Sequence, residues 1–579
     1  MMKFIEFDKE KCDSCYKCLR ICPTKAISFN KSERKIIDSL CIKCGLCQAS
    51  CPQEALKITS QVDYVQSMID AKETVVVSIA PSFVGAFGLS QPGKMVTALK
   101  KVGFTHVEET AFGAEIIANH YDACIEKNTQ KNYITSCCPS ANYLIEEYYP
   151  MLIPYVIPVV SPMIAHGRSI KKRYGANVKT VFIGPCLAKM AEAEELPDAI
   201  DAVVTFEELE LVFKSEHIIL SECEVDTFDA VGSQRGRAFP LGGSLRNPKN
   251  ERREDHELRF IHVDGIDNCK EVLNELRLGN IEHCCIEMNI CDGSCINGPD
   301  MPKNYLGRFQ KEIYMREYAK QKDDAWFVEN NTMRNNIHID EPLDIKRSFT
   351  DLQKNQQEPN SLIVREIMRK MGKYTSKDEL NCGACGYKAC YDKAKAVYFG
   401  YSDIETCLPY LREKAESLQN VMIENSPNGV LVIDNNLTIR EVNPSFNQLF
   451  NQEQLPVKDM PIQLFLNDQV FIDNIKENLY IKNKKIYFEE TNRYFIINMV
   501  CLEETNQRII FLTDITGDEK RRKEFHEAKE KTLSKTQEVI DKQMRVAQEI
   551  ASLLGETTAE TKMSLKSLNQ LFLDDGGVF

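Results

Sequence analysis

Residues 178–192 read VKTVFIGPCLAKMAE, an apolar β-like run that stops at Pro185 and Cys186 and passes into a helical pattern. Similar apolar runs are TVVVSIAPS at 74–82, NYITSCCPS at 132–140, DAVVTFEELELVF at 201–213 and IEHCCIEMNIC at 281–291. Apolar runs alternating with helical patterns favour an α/β architecture with largely parallel strands, predicted here for a domain over residues 70–335. Cys137, Cys138, Cys186, Cys291 and Cys295 fall where such runs end. Open α/β sheets bind ligands beyond the carboxyl ends of their strands, so these thiols are candidate ligands.

Towards the N-terminus, Cys12, Cys15, Cys18 and Cys22 form CxxCxxCxxxCP, and Cys41, Cys44, Cys47 and Cys51 repeat it after an offset of 29 residues. Short CxxC loops place thiolates around a cubane, and Pro23 and Pro52 turn the chain away. The arrangement is the bacterial two-cluster ferredoxin pattern, in which the fourth cysteine of each run ligates the other cluster. That rule assigns Cys12, Cys15, Cys18 and Cys51 to one 4Fe–4S cubane and Cys41, Cys44, Cys47 and Cys22 to its partner, in a domain over 1–60. Paired zinc knuckles fit less well, because tetrahedral zinc sites join CxxC pairs across a longer loop. Two cubanes this close in sequence form an electron wire.

TSCCPS at Thr135–Ser140, GPCLAKMAE at Gly184–Glu192 and EMNICDGSCING at Glu287–Gly298 resemble the three signatures of [FeFe]-hydrogenases, with weaker likeness at APS (80–82) and FPLGGSL (239–245). The resemblance implies that Cys138, Cys186, Cys291 and Cys295 hold the cubane of an H-cluster, Cys295 also bridging to a two-iron subsite with CO, cyanide and an azadithiolate bridge. It implies that Lys189 contacts one cyanide, that Ser82 lies in the loop contacting another, and that Cys137 passes protons to the bridging amine. The alternative for Cys137 is a core thiol, since cysteine is among the most buried residues. Cys124, Cys223, Cys269, Cys284 and Cys285 are expected in the core.

The departures bear on activity. Gly184 stands where the family has Met, and Asn289, Ile290 and Pro299 alter the third signature. Aligning FGAEIIANHYDAC puts Tyr121 and Cys124 at the two glutamates of the usual proton path, and Ile157 at its serine. Neutral groups there favour a slow catalyst or a sensor over a fast enzyme.

After a polar linker at 336–375, Cys382, Cys385, Cys390 and Cys407 sit in a segment resembling the small four-cysteine cluster domain of many redox and corrinoid proteins, predicted over 376–412. A 4Fe–4S cluster is expected there, with zinc as the alternative. Its place in the chain suggests a second electron exit. Residues 416–516 resemble a PAS domain, with Asn443 and Pro444 opening a helix. Heptad positions from Leu533 to Phe572 predict a coiled-coil helix over 518–573, with Gly555 as a hinge. The fold class expected is therefore multidomain α/β and α+β: ferredoxin-like, H-cluster, four-cysteine, PAS and coiled coil.

The net charge of -13 over 579 residues argues against nucleic acid, and the charged start MMKFIEFDKE against export. Twenty-three cysteines without an export signal suggest a reducing cytoplasm with thiols as metal ligands. No membrane span is expected. The leading expectation is a cytoplasmic hydrogen or redox sensor that binds or slowly splits H2 and relays its state to a separate signalling protein, as a homodimer through the PAS domain and coil. Protons, a soluble carrier such as ferredoxin and hydrogenase maturation proteins are the other implied partners. The alternatives are a catalytic hydrogenase exchanging electrons between H2 and ferredoxin, and an iron–sulfur scaffold lacking the two-iron subsite.

Overall fold

The computed structural model describes residues 4–29, 34–127, 130–243, 258–303, 306–321, 343–353, 358–451, 455–489, 491–502, 506–554 and 563–570. The chain divides into two compact units, Met1–Leu411 and Arg412–Phe579. Among the described residues no helix is long and apolar enough to cross a membrane.

In the first unit, the N-terminal repeat forms two antiparallel strand pairs, Ile5–Phe7 with Leu56–Ile58 and Ile27–Phe29 with Arg34–Ile36. Between them run the short helices Lys17–Ile21 and Leu46–Ala49, each carrying a cysteine inward. The central domain has two parallel sheets. One orders His106–Glu109, Val75–Ile79, Lys179–Gly184 and Ala202–Thr205; the other orders Arg259–Asp264, Cys284–Asn289 and Tyr133–Ile134. Val75–Ile79 is buried at every position, which is why it reads as a continuous apolar run rather than an alternating one. Helices Ala111–Glu126 and Pro162–Tyr174 pack so closely that a β-carbon on Gly113 would lie 2.3 Å from the Pro162 carbonyl oxygen.

The expected linker at 336–375 is not a plain linker. Ile345 and Phe349 pack against the central core, Lys346 bridges Val159, and the Arg347 amide donates to the Pro158 carbonyl. Helix Ser361–Lys370 then buries Val364 and Met368 with Met371, Ala394 and Cys407. Its apolar residues recur at i, i+4 and i+7 among charges, a stripe that needs a partner, so this helix belongs to the small cysteine domain. Residues 336–342 and 354–357 of that segment lie outside the described residues, as do 322–335 of the expected central domain and Ser244 and Leu245 of the 239–245 motif.

The second unit is a five-stranded antiparallel sheet in the order Ile439–Val442, Gly429–Asp434, Gln507–Asp514, Arg493–Leu502, Tyr480–Phe488. Asn443 Oδ1 accepts the Phe446 amide at 3.0 Å, capping helix Pro444–Phe450. Helix Thr516–Leu554 follows. One uninterrupted helix over 518–573 does not form: Asn569, in the helical turns at 563–570, donates to Gln537 Oε1 at 2.5 Å. Thirty-two residues of straight helix would separate them by about 48 Å, so the chain folds back. Gly555 and Phe572 lie outside the described residues.

Gly113→Ala should lower the unfolding free energy by about 1–3 kcal/mol through overpacking, measured as a reduced urea midpoint with unchanged m-value.

Candidate functional site

Strand Val75–Ile79 delivers Ser82, strand Tyr133–Ile134 delivers Cys137 and Cys138, strand Lys179–Gly184 delivers Cys186 and Lys189, and strand Cys284–Asn289 delivers Cys291 and Cys295. All seven line one cavity of about 100 Å³ at the carboxyl ends of the two sheets. Phe182, Met163 and Pro162 close its apolar sides, and Cys44 of the N-terminal domain reaches its wall. Ser82 is 1% exposed and its hydroxyl finds no partner among the described residues. An unpaired hydroxyl in an apolar cavity is what a bound polar ligand would satisfy.

Burial pushes the Cys137 and Cys186 thiols up to about 12, and Cys291 and Cys295 well above the ordinary range. At Cys186, Cys291 and Cys295 iron would displace the thiol proton, so cluster loading would be coupled to proton release. Among the described residues no three His, Cys, Asp or Glu side chains close on a single-ion centre. The separation of the thiols around an open cavity suits a cluster better than one tetrahedral ion.

Lys189 is held in place by residues that sequence reasoning missed. Its Nζ donates to Glu192 Oε2 at 2.9 Å and to the Cys137 carbonyl at 3.4 Å. Ser161 and Arg347 also donate to the Glu192 carboxylate, at 2.7 and 2.8 Å. Burial raises the Glu192 pKa, but Lys189 and Arg347 outweigh it and hold the carboxyl below its ordinary range. Glu287, in the same strand as Cys285, is 7% exposed and adds to the upward shift of Cys137. A carboxylate inside an apolar run was the available signal.

Of the three proton-path departures, Tyr121 is buried beside Cys137, its hydroxyl accepting the Ser136 amide at 3.0 Å. Ile157 is core, and Cys124 is half-buried on helix Ala111–Glu126. Cys223, Cys269, Cys284 and Cys285 are buried as expected. Cys12, Cys15, Cys18 and Cys51 line a second, smaller pocket. Cys41, Cys44, Cys47 and Cys22 are mutual electrostatic neighbours. Cys382, Cys385, Cys390 and Cys407 line a third small pocket with Lys373 and Lys393. Lys393 is fully buried and donates to Ser402 and Thr406; burial pushes it down to about 8, against the pull of Cys385 and Cys407. A buried cation facing four thiols fits an anionic cluster.

A buried network also touches the main cavity, at Thr110. Thr110 and Ser78 hydroxyls are 2.7 Å apart, Ser78 is 2.8 Å from His166 Nδ1, and His166 Nε2 is 3.0 Å from Glu108 Oε2. Arg173 and Tyr174 donate to the same carboxylate. Burial opposes Glu108 ionisation, but bonds from His166 and Arg173 outweigh it and hold the carboxyl at about 2. Glu108 therefore adds stability at and above pH 5, which is lost as pH falls from about 4.3 towards 2, about 3 kcal/mol in all. Urea unfolding should find Glu108→Gln less stable than the parent at pH 6 and the two curves converging as pH falls below about 4.

Residues 73–299 match the family "Iron only hydrogenase large subunit, C-terminal domain", residues 11–55 a "4Fe-4S dicluster domain", residues 378–409 an Fe-S cluster family, and residues 416–484 a PAS domain. Iron hydrogenase 1 of Clostridium pasteurianum is 29% identical over 374 residues, covering 52% of this chain and 65% of that protein. The NADP-reducing hydrogenase subunit HndD of Solidesulfovibrio fructosivorans is 26% identical over 381 residues, covering 52% and 64%. The chain thus spans just under two thirds of the length of these two relatives. The cytosolic Fe-S cluster assembly factor NAR1 of Yarrowia lipolytica is 30% identical over 151 residues, 22% of this chain and 31% of that protein. Over residues 73–299 the chain is thus similar to the iron-only hydrogenase large subunit, in an iron–sulfur protein that also matches a ferredoxin-like dicluster domain and a PAS domain.

Proposed function

We propose that this chain is a hydrogen or redox sensor: it binds H2 and slowly splits it at an H-cluster based on Cys138, Cys186, Cys291 and Cys295. The observation that carries the reading is the convergence of those four thiols with Cys137, Lys189 and Ser82 on one cavity whose proton-path positions hold Tyr121, Cys124 and Ile157. When bound, the two-iron subsite with CO, cyanide and azadithiolate would supply the heterolytic cleavage. Lys189, held by Glu192, would donate to one cyanide, and the unpaired Ser82 hydroxyl to another. Cys137, a neutral thiol, would relay the departing proton, its Sγ accepting it as the thiol's own proton is handed on; Thr135 Oγ1, 3.9 Å away, is its near hydroxyl neighbour. Electrons would leave through three further 4Fe–4S clusters, on the two N-terminal sets and on Cys382, Cys385, Cys390 and Cys407. The state would reach a separate cytoplasmic signalling protein through the PAS domain and helical C-terminus of a homodimer, with a ferredoxin as carrier and maturation proteins installing the subsite.

The 30% identity to an Fe-S cluster assembly factor favours a second reading, a scaffold without the two-iron subsite. Infrared bands of CO and cyanide after maturation decide between them: their appearance supports the sensor, and their absence from cluster-loaded protein the scaffold. With the bands present, turnover with an artificial donor should fall below the ordinary range of ~1 to 1000 per second. A rate inside that range would make the protein a catalytic hydrogenase. Cys137→Ala should keep the bands and lose H2-dependent reduction by at least ~100-fold.

A further inference from the structure

The small four-cysteine domain is docked on the N-terminal repeat. Gly386 follows Cys385 and has φ +92°; a β-carbon there would lie 2.7 Å from Leu19 Cγ and 3.4 Å from the Leu19 backbone carbon. Leu19 is fully buried and lies between Cys18 and Cys22. The two cysteine loops therefore touch at a point where only glycine fits without displacement. Arg20 donates to the Ala384 carbonyl at 3.4 Å, Phe29 bridges Ser402, and Cys385 and Tyr387 share the continuous core that holds Leu19 and Cys22. Lys25 Nζ donates to the Leu19 and Arg20 carbonyls at 3.0 and 2.9 Å, fixing the loop from the other side. The covalent steps on either side of the Gly386–Leu19 contact put the α-carbons of Cys385 and Cys18 at most about 14 Å apart.

The N-terminal domain also meets the main cavity. Cys44 lines it, and a β-carbon on Gly45 would lie 2.7 Å from Pro299. One domain thus abuts two other cluster sites through different loops.

We propose that the cluster of Cys382, Cys385, Cys390 and Cys407 exchanges electrons with the N-terminal cubanes across the Leu19–Gly386 contact, making the N-terminal domain the branch point of the wire. This inference rests on the proposed cluster assignments but not on the two-iron subsite. In the step, one electron leaves a reduced N-terminal cubane, which rises from the 1+ to the 2+ state. It enters the small-domain cubane, which falls from 2+ to 1+. No bond or proton changes place. The small domain is then fed from the N-terminal side, rather than acting as a separate exit from the H-cluster domain.

The test uses the full chain reconstituted with iron and sulfide alone, without maturation, reduced by dithionite and followed by electron paramagnetic resonance. Three preparations are compared, each after subtraction of the triple variant Cys15→Ser, Cys44→Ser and Cys390→Ser, which reports the cubane of the central domain alone: the parent; Cys390→Ser, which then reports the N-terminal cubanes; and the double variant Cys15→Ser with Cys44→Ser, which then reports the small-domain cluster. The parent spectrum is expected to differ from the sum of the other two, with split or broadened lines and at least threefold higher half-saturation power for the small-domain signal. Gly386→Leu, which forces the loops apart, is expected to return that power towards the isolated value. A parent spectrum equal to the sum, with unchanged saturation, overturns the proposal. Should a ligand variant fail to load, stepwise reduction of the parent gives the same answer. Lines of the first cluster reduced must broaden as the second is reduced, and lines that stay sharp overturn it. The infrared test of the H-cluster is independent, so either reading can fail alone.

Discussion

Desolvation of thiols is the constraint on which the first unit depends. The N-terminal strand pairs are three residues long and their connecting helices four or five. Elements this short bury little apolar surface, and small domains of this kind draw their stability from metal. Their cysteines occupy the places where apolar side chains would otherwise pack: Cys18, Cys22 and Cys47 are each 8% exposed. Burial pushes Cys18 and Cys44 up to about 12, so without iron these positions hold neutral thiols, and with iron each set would carry a charged cluster. Loading therefore changes both the packing and the charge of the domain at once. Lys25, Lys270 and Lys393 are cations placed where that charge would appear.

The thiol sets were legible because each cluster site is nearly local in sequence. CxxC spacing fixes which thiols face one way, and the repeat fixes the crossing that places Cys51 in the cavity with Cys12, Cys15 and Cys18. The central domain was legible for a similar reason: strands buried on both faces read as apolar runs, and the cysteines mark their ends. What escaped were contacts between distant charges. Arg347 reaches Glu192 across 155 residues, and Arg347 lay in a stretch read as linker because its neighbours are polar. Helix Ser361–Lys370 escaped too, since its short apolar stripe matters only once helix Cys390–Tyr398 lies against it. The Leu19–Gly386 contact has no sequence signal beyond a glycine next to a cysteine.

The C-terminal heptads show the converse. Leu533, Ile540 and Met544 recur at the spacing of a seam, and periodicity alone favours one long helix. The Asn569–Gln537 bond instead brings the last described turns back beside the middle of helix Thr516–Leu554. A heptad stripe can be covered by a partner chain or by its own continuation, and the pattern is the same in both cases. A fold-back uses part of the seam within the chain, which leaves less of it for a second copy.

The cavity is served unequally by its two kinds of traffic. Tyr121 stays a neutral phenol, because burial and the adjacent Cys137 oppose its ionisation, and its oxygen is used in accepting the Ser136 amide. Ser136 Oγ in turn donates to the Val159 carbonyl at 2.8 Å. A hydrogen-bonded chain that ends on a backbone carbonyl has no group to carry a proton onward. The Thr110–His166–Glu108 network does not replace it. A carboxyl held at about 2 takes up a proton in only about one molecule in 10⁵ at pH 7, and burial keeps His166 below its ordinary range, hence neutral. Electrons, on the proposed assignments, have a cluster site at the cavity wall and a second beyond it. A site that exchanges electrons readily but hands on protons poorly changes state more easily than it completes a cycle. That imbalance suits detection, because the altered charge persists long enough to be read by the clusters around it.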